Sequence, residues 1–208
     1  TEIYTLALHD ALPISIYTNN GHVKSEYLAN QLYDILGLRV PDYELYDDNG
    51  TAFILSKFIP NTRTPSVKDY KAMAQGFVAD CVLANWDVYQ NDNCLIDYAG
   101  RVIRVDNGGA LDYRAHGKNK PFDDNVLATF KSMIQYNQTV YSNLSSSDVA
   151  NQIRQIQARK QDIVDYLIRS GNTVLANVIG QRIDKLNDVL AYLKTQMSIK
   201  DTPIQPRK

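Results

Sequence analysis

The chain has 208 residues, 44% of them hydrophobic and 22% charged, enough apolar material for a sizeable core in one domain or two small lobes and too much for a disordered tail. Lys and Arg total 22 against 23 Asp and Glu, a formal charge of -1, which argues against a surface built to neutralise nucleic-acid phosphates. No apolar run approaches the roughly 20 residues that cross a bilayer, and no basic segment followed by a long apolar core lies near the amino terminus, so a cytoplasmic protein is expected.

Residues 1–15, TEIYTLALHDALPIS, resemble translated sequencing-adapter sequence fused to reading frames from shotgun data. The resemblance implies a non-native leader and a missing native amino-terminal part. Read as native, Ile3, Leu6, Leu8, Leu12 and Ile14 would make a short strand or half-buried helix.

After the turn Asn19-Asn20-Gly21, the residues Val23, Tyr27, Leu28, Leu32, Ile35 and Leu36 recur at helical spacing and predict a helix over 22–36. Gly37 suits a left-handed cap, and Pro41 keeps the helix from resuming. Tyr43, Leu45 and Tyr46, the turn Asp47-Asp48-Asn49-Gly50 and the run 52–58 predict an antiparallel hairpin. The stretch 59–65 holds two prolines and no apolar period, which marks a lobe boundary. Ser66 caps a predicted helix whose stripe of Tyr70, Met73, Phe77, Val78, Cys81 and Val82 should be buried. Cys81 and Cys94 are too few for a disulfide framework and lie outside metal-binding spacing, so both read as buried thiols. Short strands over 94–97 and 102–105 flank the turn Tyr98-Ala99-Gly100. Helices follow over 125–136, 147–170 and 173–197, and 199–208 is a flexible tail with two prolines. The order predicts an α+β chain with its strands early.

Acids and amides crowd one stretch: Asn85-Trp86-Asp87, then Gln90-Asn91-Asp92-Asn93, then Asp106-Asn107-Gly108-Gly109. A carboxylate after a buried helix, an amide six residues on and a second carboxylate closing a short hairpin would bring three oxygen-bearing side chains together. Magnesium accepts a few hard oxygen ligands plus substrate phosphates, and phosphoryl transfer needs positioning and charge neutralisation more than covalent chemistry. A further Asp near an acceptor hydroxyl can take its proton. Read for structure alone, Asp87 is a turn cap, 106–109 a simple turn, Glu26 a solvated helix residue and Trp86 a core anchor. Arg114, His116, Lys118 and Lys120 form a short basic run, either a solvated loop or a surface for an acidic or phosphorylated substrate. No Gly-x-Ser-x-Gly elbow and no zinc spacing of His or Cys is present.

Asn85-Trp86-Asp87 with Asn93, followed by Arg104-Val105-Asp106-Asn107-Gly108, resembles the catalytic and metal-binding loops of the protein-kinase-like fold, most of all the HipA-like kinases and the phosphoinositide kinases. Ser25-Glu26-Tyr27-Leu28-Ala29, Gly37-Leu38, Val40-Pro41 and Leu55-Ser56-Lys57-Phe58 are similar to that fold's small-lobe helix, the strands after it and the hinge. The resemblance spans 23–113. It implies a kinase-like two-lobe fold, with a partial small β lobe over 16–60 and a mostly helical large lobe over 61–198. It further implies an ATP- and magnesium-dependent phosphotransferase, incomplete in this chain, acting on a hydroxyl of a protein, lipid or small molecule. Some kinase-fold proteins move an adenylyl group instead.

By that resemblance Asp87 would be the catalytic base, Asn93 and Asp106 metal ligands, and Glu26 the partner of an ATP-binding lysine. Lys57, Phe58 and Ile59 would line the adenine through their backbone groups. Most such kinases place the amide five residues after the base, where this chain has Asp92, so Asp92 and Asn91 are alternatives to Asn93. No glycine-rich loop and no strand-borne lysine precede Glu26 in the sequence, which truncation behind the leader would explain. The other expectation is a non-catalytic kinase-like scaffold that presents its helical half to a partner.

Overall fold

Gly37 takes φ +76°, and the amides of Gly37 and Leu38 bond back to Asp34 and Tyr33, so the first helix ends where a left-handed cap was expected. The computed structural model describes residues 14–15, 20–90, 93–114 and 117–200. Residues 1–13, the pair Asn91-Asp92, His116 and the tail from 201 onward lie outside the described residues.

The chain is α+β. A two-residue strand, β1 (Ile14–Ser15), precedes the capped helix α1 (Asn20–Ile35), and a hairpin of β2 (Tyr43–Asp48) and β3 (Thr51–Ser56) follows it. The sheet is antiparallel in the order β1-β3-β2. Ile14 and Ser15 pair with Leu55 and Ile54, so the end of the segment set aside as a leader supplies a sheet edge. Side chains alternate along a strand, and Ala52 and Ile54 bury with Val23 of α1, while Tyr46 and Phe53 stack on the opposite face with centroids 5.7 Å apart.

The helix expected over 66–82 is broken into α2 (Tyr70–Met73) and α3 (Phe77–Val82), separated by a 3-10 turn at Ala74–Gly76. Gly76 closes that turn against Arg104: a Cβ at position 76 would sit 2.0 Å from Arg104 Nη2, so the guanidinium leaves room there only for glycine. Gln152 answers the helix groups released by the break: its Oε1 accepts from Val78 N and its Nε2 donates to Ala74 O, each at 3.0 Å.

A ribbon of β4 (Cys94–Ile96) and β5 (Val102–Arg104) comes next, paired antiparallel as expected. Arg63 exchanges backbone bonds with Ile96, and Arg104 N donates to Arg39 O at 2.9 Å, which ties the ribbon to the segments leaving β3 and α1. The helical remainder comprises α4 (Val126–Tyr136), α5 (Gln138–Tyr141), α6 (Ser146–Ala158), α7 (Lys160–Arg169), α8 (Thr173–Asp184) and α9 (Leu186–Lys200). Ser145 and Asp148 form a capping box at the start of α6. The single helices expected over 147–170 and 173–197 are each split, at Arg159 and Lys185, with no glycine or proline at either break, and helix continues to Lys200 where a tail was expected.

Phe77, Val82, Phe130, Ile153, Leu167 and Ile183 belong to one large core shared by α1, α3 and the carboxy-terminal helices. Both cysteines are buried free thiols, with burial pushing Cys94 up to about 12. Among the described residues no helix is long and apolar enough to cross a membrane.

Against this core lies a buried ion pair. Asp80 of α3 has no exposed surface and takes Arg104 Nε at 2.7 Å and Nη2 at 2.8 Å. The hydroxyl of Tyr33 donates to it at 2.8 Å and that of Tyr89 donates to its other oxygen. Burial first, and the Asp80 charge second, raise both phenols, so they stay protonated donors. Asp80→Ala leaves Arg104 buried without a counter-charge and should cost about 3–5 kcal/mol, read as a lower midpoint in urea unfolding.

Candidate functional site

The site begins where α3 stops. A helix leaves its last carbonyls without intrahelical partners, and here distant groups take them. Arg182 donates to Val82 O and Cys81 O at 2.8 Å each, Leu111 N donates to Leu83 O at 2.7 Å, and Lys120 Nζ donates to Ala84 O at 2.7 Å. Ala84 then adopts φ 50°, which turns the chain out of the helix and into the loop that carries Asp87.

Two hydrogen bonds close that loop and join it to the segment after β5. Asn93 Nδ2 donates to the Asp87 carbonyl oxygen at 2.9 Å, and Val105 N donates to Asn93 O at 2.9 Å, so Asn93 lies opposite the residue before Asp106. Asp106 has φ 51° and opens a 3-10 turn over Asn107–Gly109. A Cβ at position 109 would lie 2.6 Å from Asp87 Oδ2, and one at position 108 would lie 2.5 Å from His22 Nε2 and 3.4 Å from Glu26 Oε2. The turn is therefore wedged between α1 on one side and the Asp87 carboxylate on the other.

Ala84, Asp106 and Leu111 all hold positive φ, at 50°, 51° and 56°. For residues with a Cβ this costs about 1–2 kcal/mol each, and such strain gathers at sites that the surrounding structure over-determines.

A chain of buried amides connects these loops to the ion pair. Asn85 Nδ2 donates to Tyr33 Oη and to Asn107 Oδ1, both at 3.0 Å, and Asn107 Nδ2 donates to Asn30 Oδ1 at 2.8 Å. Asp80 sets its direction. A carboxylate only accepts, so Tyr33 must donate to it and accept from Asn85; Asn85 thereby presents nitrogen, and Asn107 must turn its own nitrogen toward Asn30. The polarity has a cost, because Asn85 Oδ1 is buried with no hydrogen-bond partner among the described residues.

Of the residues singled out in the sequence, Asp87, Asn93 and Asp106 are thus gathered around one turn, and Glu26, 4% exposed, faces the same turn from α1. The segment 57–59 leaves β3 with part of its backbone already engaged: Lys57 N donates to Asp42 O at 2.7 Å, and Ile59 O accepts from Thr62 Oγ1 at 3.3 Å. Lys57 Nζ pairs with the Asp42 carboxylate at 3.2 Å, and Phe58 is 62% exposed. Sequence reasoning missed Asn30, Asn107 and the burial of Lys120. An isolated Asp80 in an apolar helical stripe was the available sign that a buried partner existed.

Among the described residues no three His, Cys, Asp or Glu side chains form a cluster able to hold a metal ion. Asn93 Nδ2 is bound to the Asp87 carbonyl oxygen, so the amide oxygen Oδ1 is the atom of Asn93 that could serve as a ligand, as the Asp106 carboxylate would have to. Hard oxygens few in number fit Mg2+, which completes its shell with water and substrate phosphate. No protein-family model matches this chain, and no curated protein matches it.

Asn107→Asp sets a carboxylate oxygen against Asn30 Oδ1 and should cost about 1–3 kcal/mol, read by thermal unfolding. The effect should shrink at low pH, where the new carboxyl can donate.

Proposed function

We propose that this chain carries the phosphotransfer site of an atypical, two-lobed kinase-like fold that uses ATP and Mg2+ and phosphorylates a hydroxyl acceptor. The observation that supports this reading most is the glycine-paired turn after Asp106, which touches Asp87 through Gly109 and faces Glu26 through Gly108. Asn93 Oδ1 and Asp106 would hold Mg2+, which supplies charge neutralisation for the β- and γ-phosphates. Asp87 orients the acceptor hydroxyl and takes its proton as the new O–P bond forms. The bond between the γ-phosphorus and the bridging oxygen breaks, and ADP leaves. Asn93 fixes the Asp87 backbone through its 2.9 Å bond, and the absence of side chains at Gly108 and Gly109 leaves the carboxylate the space it occupies. The backbone of Lys57, Phe58 and Ile59 is the proposed adenine edge.

A second reading, a kinase-like scaffold that does not turn over, draws on the burial of Glu26 beside His22 and Gly108, which leaves little room there for a lysine ammonium.

Binding at a hundredfold excess over Kd stabilises a protein by about 2.7 kcal/mol, which for a chain of 208 residues is about 5–10 °C in Tm. Mg2+-ATP should give such a shift, and Asp106→Ala should remove it. Asp87→Asn should keep the shift and slow ADP formation from ATP by a factor of about 100 or more. No shift in the wild-type chain would leave the scaffold.

A further inference from the structure

We propose that Lys120 is a positioning residue of this site: a buried cation that clasps the loop carrying Asp87 to the turn carrying Asp106 and holds the Asp87 carboxylate by charge. The inference rests on the reading of Asp87 as the base.

Lys120 is 7% exposed, although it lies in the run of basic residues that the sequence presents as a surface loop. Its ammonium donates to two carbonyl oxygens, Ala84 O at 2.7 Å and Gly109 O. The first lies three residues before Asp87 and the second three residues after Asp106, so one nitrogen bridges the roots of both loops. Its own backbone is held by a bond from Lys120 N to Asp112 O at 2.8 Å. Gly109, whose carbonyl it grips, is also the residue whose missing Cβ leaves space for Asp87 Oδ2.

A lysine used only to answer an orphan helix carbonyl needs no anion beside it. Here burial pulls the Lys120 ammonium down to about 7, and Asp87 is the largest charge that opposes this pull. Asp112 also favours the cation, while Arg114 and Arg182 disfavour it, which completes the charges that face it from the loop after β5 and from α8. The clasp therefore titrates close to neutrality.

The sign follows from the depressed value. Between about 7 and 10.5 the unfolded chain holds a proton that the folded chain has released, so stability from this group rises with pH across that window. The clasp weakens across the same window, because the ammonium loses its charge and one donor. Activity and stability should move in opposite directions, which a purely structural lysine would not produce.

Two measurements on the full chain test this. In the first, the Lys120 side-chain carbon resonance is titrated in the wild type and in Asp87→Asn. Removing the anion should lower the Lys120 midpoint by about 1 unit. An unmoved midpoint overturns the clasp, whatever the chain does with ATP. In the second, ADP formation from Mg2+-ATP is followed against pH. Lys120→Met should lower kcat about 100-fold with KM within about threefold, and Lys120→Arg, always charged, should recover part of kcat and lose the fall above neutrality. Equal kcat in Lys120→Met and wild type overturns the proposal. A wild-type chain that forms no ADP overturns the phosphotransfer reading instead, and the titration then decides the clasp alone.

Discussion

Asp80 draws four donors from three other parts of the chain: two from Arg104 on β5, one from Tyr33 on α1 and one from Tyr89 in the loop beyond Asp87. Taking a carboxylate and a guanidinium out of water costs several kcal/mol per ion, and their attraction offsets this only if every lone pair is answered. The pair ties α3 to β5 through Arg104 and to α1 through Tyr33, so separating any of these elements would leave a buried charge with fewer partners. The requirement extends to the residues just before the helix that carries Asp80. The guanidinium occupies the space a Cβ at position 76 would need, so the residue there is glycine, and Gln152 from α6 takes up backbone groups on either side of the break.

The same carboxylate acts at longer range through polarity. Hydrogen-bonded amides have two ends, and an acceptor fixed at one end of a chain dictates the orientation of every member. From Asp80 the order runs through Tyr33 and Asn85 to Asn107, and it ends on Asn30, one helical turn from Glu26 on α1. Asn107 directly follows Asp106. The helix and the turn after β5 therefore cannot shift independently without breaking a buried bond. The close approach of Gly108 to His22 reinforces this coupling from a second direction.

What the sequence made readable was what local chemistry decides. The cap at Gly37, the hairpin turn and the β4–β5 ribbon each depend on residues within a few positions of one another, and each was found where expected. The partners of the break at 74–76 are Arg104, about thirty residues away, and Gln152, farther still, and the helical stripe gave no sign of either. The splits at Arg159 and Lys185 lack any breaker residue and were likewise hidden. At the candidate site, spacing singled out Asp87, Asn93 and Asp106, but nothing local announces that Lys120 leaves its basic neighbours for the interior. Its partners, Ala84 O and Gly109 O, are backbone atoms, and a backbone oxygen has no signature in a sequence.

The strained residues complete the argument. Ala84, Asp106 and Leu111 each spend about 1–2 kcal/mol on a conformation that glycine would adopt freely. Leu111 is nonetheless needed as a side chain, because it is buried in the large core, and its amide answers Leu83 O at the end of α3. Ala84 is likewise buried, and its carbonyl is held by Lys120. Only Asp106 is exposed, so neither packing nor burial accounts for a carboxylate at a position where glycine would relieve strain. Asp is one of the few residue types with a Cβ that enters the left-handed region readily, so the position opens the turn whose two glycines admit Asp87 on one side and α1 on the other. Asp106 thus differs from its two strained neighbours, whose side chains and backbone groups are committed to the core: its conformation is set by the turn, and the buried network through Asn107 holds that turn in place.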